Sequence, residues 1–421
     1  MNERSVSVNG ISIYSLTNPN LRSFCLSLYV RAGSIFEDLS NNGISHLFEH
    51  VVFRNIKNKY ENFYELLAMH GLCFQGSTYK KFVSFTIDGP QHEFDFAIEI
   101  LCGLFDEIKL TSHDFNNEKG RIKAEIREKD RRSSLDFYFD SVVWKNSEVE
   151  KIVLGYCKTV DRVSVKKINE FRQKVLSAGN CFVYATGNIS DKNLDALNKK
   201  ISELDISQSN PGFTNIVTVN DEFFHREKKI WIKNNYWHYI QIGFDVDCSK
   251  YPGGVYDLLY ALLFNGDKAL VYNYLSEDNP IIYSYDSTFE QYDNVGNINF
   301  SFEVDRNKIE DVFKTVVELL NAAKDGRFNF EANLNYEMFN WELDLDNPDN
   351  LNWNMAYYNH ILKTQSIDYS DEFYGRFRVT KEQIIDAAKY IFRRCNMTVA
   401  IKGDRKKINA EAIEKILESL D

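Results

Sequence analysis

Val163-Ser-Val-Lys-Lys-Ile168, running on to Asn180-Cys-Phe-Val-Tyr-Ala-Thr-Gly187, returns 216 residues later as Val379-Thr-Lys-Glu-Gln-Ile384, running on to Asn396-Met-Thr-Val-Ala-Ile-Lys-Gly403. Each copy opens on a hydroxyl residue suited to cap a helix (Ser164, Thr380) and continues with helical apolar spacing. Each then closes on a short apolar strand that ends at glycine. The same spacing places Leu26, Leu28 and Val30 on Ile242, Phe244 and Val246, alternate positions of two further strands. A helix–strand unit that recurs at a fixed period implies internal duplication. Ser207-Gln-Ser-Asn-Pro-Gly-Phe-Thr-Asn215, polar and turn-forming, falls almost at the midpoint and is the clearest linker. The expected fold is α+β with two homologous domains, 1–205 and 223–421, joined by a linker at 206–222.

Within the first half, Phe24–Ala32 and Phe82–Asp88 read as strands, while 43–52, 62–69, 94–108 and about 114–131 read as helices. Strands that are both adjacent and separated by long helices predict, in each domain, a mixed or antiparallel sheet covered by helices.

Composition sets the outer limits. A chain of 421 residues, 44% hydrophobic and 26% charged, is long enough for two or three domains with their own cores. With 50 Lys+Arg against 61 Asp+Glu, the net charge of -11 repels phosphate backbones and anionic lipid headgroups. Neither nucleic acid nor a membrane is an expected partner. No run approaches the ~18 apolar residues that span a bilayer, and the apolar stretch at 94–105 is broken by Asp95 and Glu99. The start, Met1-Asn-Glu-Arg-Ser5, lacks the form of an export leader. Seven scattered cysteines without a C-x-x-C pair fit a reducing compartment, so a cytoplasmic protein is expected.

The chemistry concentrates at His46-Leu-Phe-Glu-His50. On a helix, H-x-x-E-H puts two imidazoles one turn apart on one face with Glu49 beside them. Two neutral histidines and a third protein ligand leave a zinc ion one open position for water. Glu49 is too close to serve comfortably as that third ligand and is well placed as general base. Spacing alone would also suit two surface histidines and an exposed glutamate. Against this, Ile44, Leu47, Phe48, Val51, Val52 and Phe53 surround the polar trio with apolar side chains.

The segment from Gly33-Ser-Ile-Phe-Glu37 to His46-Leu-Phe-Glu-His50 resembles the corresponding part of the insulinase or pitrilysin-type metallopeptidases, the inverzincins. The likeness is to their short two-domain branch, which includes the mitochondrial processing peptidase subunits and bacterial relatives. It implies one zinc ion (Zn2+) per chain held by His46, His50 and Glu125, with Glu49 as the catalytic base. It further implies that Glu118, seven residues before Glu125, orients a histidine ligand. His70-Gly-Leu-Cys-Phe-Gln-Gly-Ser-Thr78 resembles the family's edge strand for substrate, with Gln75 and Gly76 in place of the usual asparagine and alanine. A substrate role for Gln75 and Gly76, including carbonyl binding by Gln75, follows from that likeness. His70 has no motif support and reads as a helix-end residue.

The duplication places Leu262, Asn265 and Gly266 at the positions of His46, Glu49 and His50, so no metal is expected in the second half. There the family supplies an arginine and a tyrosine to bind substrate; Tyr283 resembles the tyrosine, and Ser276 occupies the arginine position. The resemblance thus implies half of a clamshell chamber, completed by a homologous partner. A heterodimer whose partner brings the arginine/tyrosine pair is expected, with a homodimer as the alternative. The expected activity is zinc-dependent endopeptidase action on unfolded or extended peptides. Two other readings compete: a maturation peptidase removing the leader of a small ribosomally made peptide, and a catalytically silent scaffold or peptide-binding subunit.

Overall fold

Two sheets organise the chain in the computed structural model, which describes residues 3–129, 135–213, 230–362 and 378–420. The first contains β1 (Arg4–Val8), β2 (Ile11–Thr17), β3 (Ser23–Val30), β4 (Cys73–Thr78), β5 (Val83–Pro90) and β6 (Cys181–Gly187) in the order β1-β2-β6-β3-β5-β4. The second contains β7 (Ile230–Asn234), β8 (Tyr239–Asp247), β9 (Tyr285–Tyr292), β10 (Val295–Glu303) and β11 (Met397–Gly403) in the order β7-β11-β8-β10-β9. One parallel pair in each, β2 with β6 and β7 with β11, interrupts otherwise antiparallel pairing. These are the mixed sheets expected of the α+β reading.

The repeat is visible in atomic detail. Ser164 and Thr380 cap their helices by accepting from the Lys167 and Gln383 amides. Asn180 donates to the Arg31 and Val175 carbonyls at 2.9 and 2.8 Å, and Asn396 to the Asp245 and Ile391 carbonyls, both at 2.9 Å. Both amides are almost fully buried, and each ties a strand start to a helix end. The uniform spacing fails only upstream. Val30 faces Cys181 while Phe244 faces Met397, so β8 sits two residues off, and Leu26 corresponds to Ile240 rather than Ile242. A slip of two preserves the in-out alternation, which is why the sequence pattern conceals it.

The compact units are not consecutive halves. One comprises Met1–Asp130, Glu148–Asn215 and Glu342–Lys363, the other Arg131–Ser147, Ile216–Trp341 and Thr364–Asp421. The boundaries expected at 205 and 223 therefore omit an exchange of segments, and the linker from 214 onward lies outside the described residues. The helix Leu135–Val143 packs on β8 and β11, and the helix Pro348–Ala356 packs on β3 and β6. Asn352, fully buried, donates to the Tyr184 carbonyl at 2.9 Å and accepts from the Tyr29 hydroxyl at 2.9 Å. In the other unit Phe139 is buried over Gly243, where a Cβ would come within 2.4 Å of its ring. Helical periodicity identifies such helices but carries no information about which sheet they cover.

Candidate metal centre

The motif lies at the start of the helix Ile44–Lys59, whose N-cap, Gly43, is left-handed (φ 95) and provides no side-chain cap. Glu37, buried six residues earlier, takes over that function. One carboxylate oxygen accepts from the Gly43 amide at 2.7 Å and the Asn42 side chain at 2.8 Å, and the other from the Ser45 amide at 2.8 Å. Orphan amides at the helix start are thereby satisfied and the helix is fixed one turn from its functional residues. Sequence pattern does not reveal Glu37 as a cap, because it stands seven residues before the helix rather than one.

On the helix, His46 and His50 face each other with ring centroids 4.7 Å apart. The helix Ser112–Glu128 brings Glu125 to them, its carboxylate 3.7 Å from His46 Nε2. Ligand atoms of His46, His50 and Glu125 all lie within 4.8 Å of one another. Behind them Glu118, 2% exposed, sits 3.5 Å from His50 Nδ1 and accepts from Arg54 Nε at 2.6 Å. Its spacing of seven from Glu125 turns it onto a neighbouring part of the same helix face.

Electrostatics separate the two histidines. Burial, then the charges of His50 and Lys129, lower the His46 pKa to about 3, which leaves a neutral imidazole. For His50 burial acts downward, but the Glu118 hydrogen bond and the Glu49, Glu118 and Glu125 charges outweigh it and raise the pKa. Burial opposes ionisation of Glu118, and His50 and Arg54 overcome it, lowering its pKa. Burial raises that of Glu49, as expected of a poised base.

Two imidazoles and one carboxylate match the ligand chemistry of zinc, whose bonds of about 2.0–2.2 Å require only a small convergence of these side chains. The carboxylate behind His50 fits the usual pattern of an oriented ligand. Because a proton competes with metal for His50, zinc affinity should fall on acidification, beginning above the ordinary histidine value of about 6.5. Binding measured from pH 8 to 5 tests this; affinity unchanged down to pH 5 would contradict it.

The rim of the centre is β4, the edge strand of its sheet. Thr78 donates to Glu49 at 3.1 Å, and a Cβ on Gly76 would lie 2.8 Å from a Glu49 oxygen, so glycine there gives the base its room. Gln75 departs from expectation. It pairs with Thr86 and, by strand alternation, points to the opposite face of the sheet from Glu49. A carbonyl near the metal cluster is thus beyond the role its side chain can play. His70 pairs with Glu93 at 2.7 Å, apart from the ligand set.

In the second unit the connection from β8 to the helix Gly253–Phe264 is shorter than that from β3 to Ile44–Lys59. Counted from the helix starts, Val255, Leu258 and Leu259, not Leu262, Asn265 and Gly266, occupy the motif positions; all three are buried and apolar. Tyr283, 96% exposed, precedes β9 and lines a cavity of about 870 Å³ together with Trp237, His238, Glu303 and Arg306. Arg306 also lines this cavity, while Ser276 occupies the expected arginine position.

Comparison with known proteins finds two family patterns and several relatives. Residues 13–155 match the family pattern described as Insulinase (Peptidase family M16), and residues 162–332 that described as Peptidase M16 inactive domain. An uncharacterised zinc protease of Bacillus subtilis is 21% identical over 77% of this chain and 79% of its own length. The beta subunit of mitochondrial-processing peptidase from Saccharomyces cerevisiae is 22% identical over 44% of this chain and 41% of its own. Several other relatives are likewise matched over less than half their length. A protease structure from Helicobacter pylori superposes with a TM-score of 0.82 at 17% identity, covering 96% of this chain and 99% of that one.

Proposed function

Because the chain belongs to the insulinase family of peptidases, family M16, we propose that it is a zinc-dependent endopeptidase acting on unfolded or extended peptides. The observation that carries this reading is the convergence of His46, His50 and Glu125 within 4.8 Å, with Glu49 beside them and an edge strand at the rim. His46, His50 and Glu125 would hold one zinc ion. Zinc supplies Lewis acidity, which makes water a nucleophile near neutral pH and polarises a carbonyl.

Glu49 takes the proton of the attacking water and returns it to the leaving amine, its raised pKa improving the match to neutral pH. Glu118 keeps His50 oriented through Nδ1. The backbone of β4, Gln75 and Gly76 included, pairs with substrate by strand addition, which selects extended chains and excludes folded ones.

We further infer that each chain supplies half of a chamber and that a homologous partner completes it. Ser276 in place of arginine favours a heterodimer in which the partner brings the arginine and tyrosine. Arg306, which lines the same cavity as Tyr283, favours the homodimer as a second reading. Among the described residues no helix is long and apolar enough to cross a membrane. All seven cysteines are free, which supports a cytoplasmic location. The test is hydrolysis of an unstructured peptide and of a folded protein by the purified chain, with and without a chelator, alongside its sedimentation. Chelator-sensitive cleavage of the peptide alone is expected, weak in a monomer under the heterodimer reading and full in a homodimer under the second. Chelator-insensitive cleavage would contradict the proposal.

A further inference from the structure

We propose that Cys25, Asp88 and Asp349 form a second metal site, a structural one for zinc, on the face of the first sheet opposite His46 and His50. Its donors come from β3, β5 and the helix Pro348–Ala356, all within one compact unit. A thiol sulfur and two carboxylate oxygens there lie within 4.8 Å of one another. The site shares no residue with the His46 centre, so the inference stands independently of the peptidase reading.

Strand register explains the convergence. β5 runs between β3 and β4, and Asp88 stands opposite Cys25 on one side and Cys73 on the other. Directly opposed residues share a face, so two thiols flank one carboxylate in a row across three strands. Cys73 has the parity of Gln75, which puts the row on the face away from Glu49 and Gly76. The helix Pro348–Ala356 packs on this sheet and sets Asp349 against the row, a carboxylate oxygen 3.8 Å from the Cys25 sulfur. Cys25 is fully buried while Cys73 and Asp349 are exposed, so an ion can reach the cluster from solvent.

The observation that points to a cation is an oxygen with nothing to satisfy it. Asp88 Oδ1 is buried and accepts no hydrogen bond among the described residues, a costly state for a carboxylate. Asp349 accepts only the long contact from the Cys25 thiol, and neither carboxylate has a lysine, arginine or histidine partner among the described residues. Burial first, and the charge of Asp349 second, push the Asp88 carboxyl up to about 6. Two acidic groups and a buried thiol thus face one another with no positive charge between them. A divalent ion supplies it. Donor chemistry selects zinc: sulfur disfavours magnesium and calcium, carboxylates disfavour copper(I), and zinc accepts both. Zinc bonds of about 2.0–2.3 Å space neighbouring ligand atoms by roughly 3.5 Å, near the separation of Cys25 from Asp349. Zinc must displace a proton that burial holds on the Cys25 thiol, so affinity is moderate and dialysis strips this ion. Filled, the site staples a helix from late in the chain to two early strands.

The test uses the full, reduced chain, dialysed and then titrated with cobalt(II), a spectroscopic substitute for zinc. A cobalt–thiolate bond gives an intense charge-transfer absorption in the near ultraviolet, whereas His46, His50 and Glu125 contain no sulfur and give none. Cobalt should produce this band in wild type, and added zinc should displace it. Cys25→Ser should abolish the band, and Asp349→Asn should weaken cobalt binding by about tenfold or more. Zinc in excess should raise the Tm of wild type more than that of Asp349→Asn. The exposed Asp349 position keeps the test decisive if Cys25→Ser fails to fold. No thiolate band in wild type, a band that survives Cys25→Ser, or equal cobalt affinity in Asp349→Asn overturns the site and leaves the peptidase reading standing. Chelator-insensitive cleavage beside an intact thiolate band would do the reverse.

Discussion

Glu49→Gln should reduce peptide hydrolysis by about 10²–10⁴-fold while the chain retains its zinc. The substitution keeps the shape of a side chain that accepts from Thr78 and lies against Gly76, so neighbouring packing should survive. It removes the group able to take a proton. His46, His50 and Glu125 remain, and metal content should stay near that of wild type. The check pairs kcat/KM on an unfolded peptide with elemental analysis. Activity within about tenfold of wild type would refute Glu49 as base.

Glu125→Gln should do the reverse and empty the site. Among the described residues three protein donors converge there, and the loss of the one anionic ligand removes the charge that offsets the cation. After dialysis, zinc should fall from near one per wild-type chain to near zero, and hydrolysis should fall with it. Glu118→Gln makes a graded control. It touches His50 rather than the metal, so affinity should drop by only about 10–100-fold. Equal zinc in wild type and Glu125→Gln would remove Glu125 from the ligand set, and no zinc in wild type even after metal is supplied would favour the silent-scaffold reading.

Much of this was legible in the sequence because it depends on short-range pattern. H-x-x-E-H needs only the pitch of a helix, and the motif helix extends further than its apolar pattern required, from Ile44 to Lys59. The two strand–helix repeats needed only their caps and a fixed spacing. What was missed depends on three-dimensional placement. Glu37 is a cap that works from a loop, outside the window in which caps are sought. Gln75 lies one residue from Gly76, yet alternation sends the two to opposite faces, and the sequence likeness did not weigh that parity. The shortened connection before Gly253–Phe264 shifts the second helix against the uniform spacing, so the motif positions had to be counted from the structure.

The traded helices carry the longest-range consequence. Leu135–Val143 and Pro348–Ala356 are separated by nearly the repeat spacing and stand on equivalent strands of opposite sheets, which makes the exchange a reciprocal swap inside a single chain. A fragment ending at the midpoint would deprive β3 and β6 of the helix Pro348–Ala356 that packs on them. It would strip Tyr184 of the amide that Asn352 donates to it, while carrying a helix with no sheet of its own to cover. Each half is therefore a poor independent folder but a ready complement for the other. Co-expressed as two pieces, they can bury both surfaces only by re-entwining. In such a duplicated gene, fusion binds the copies together more tightly than any linker could.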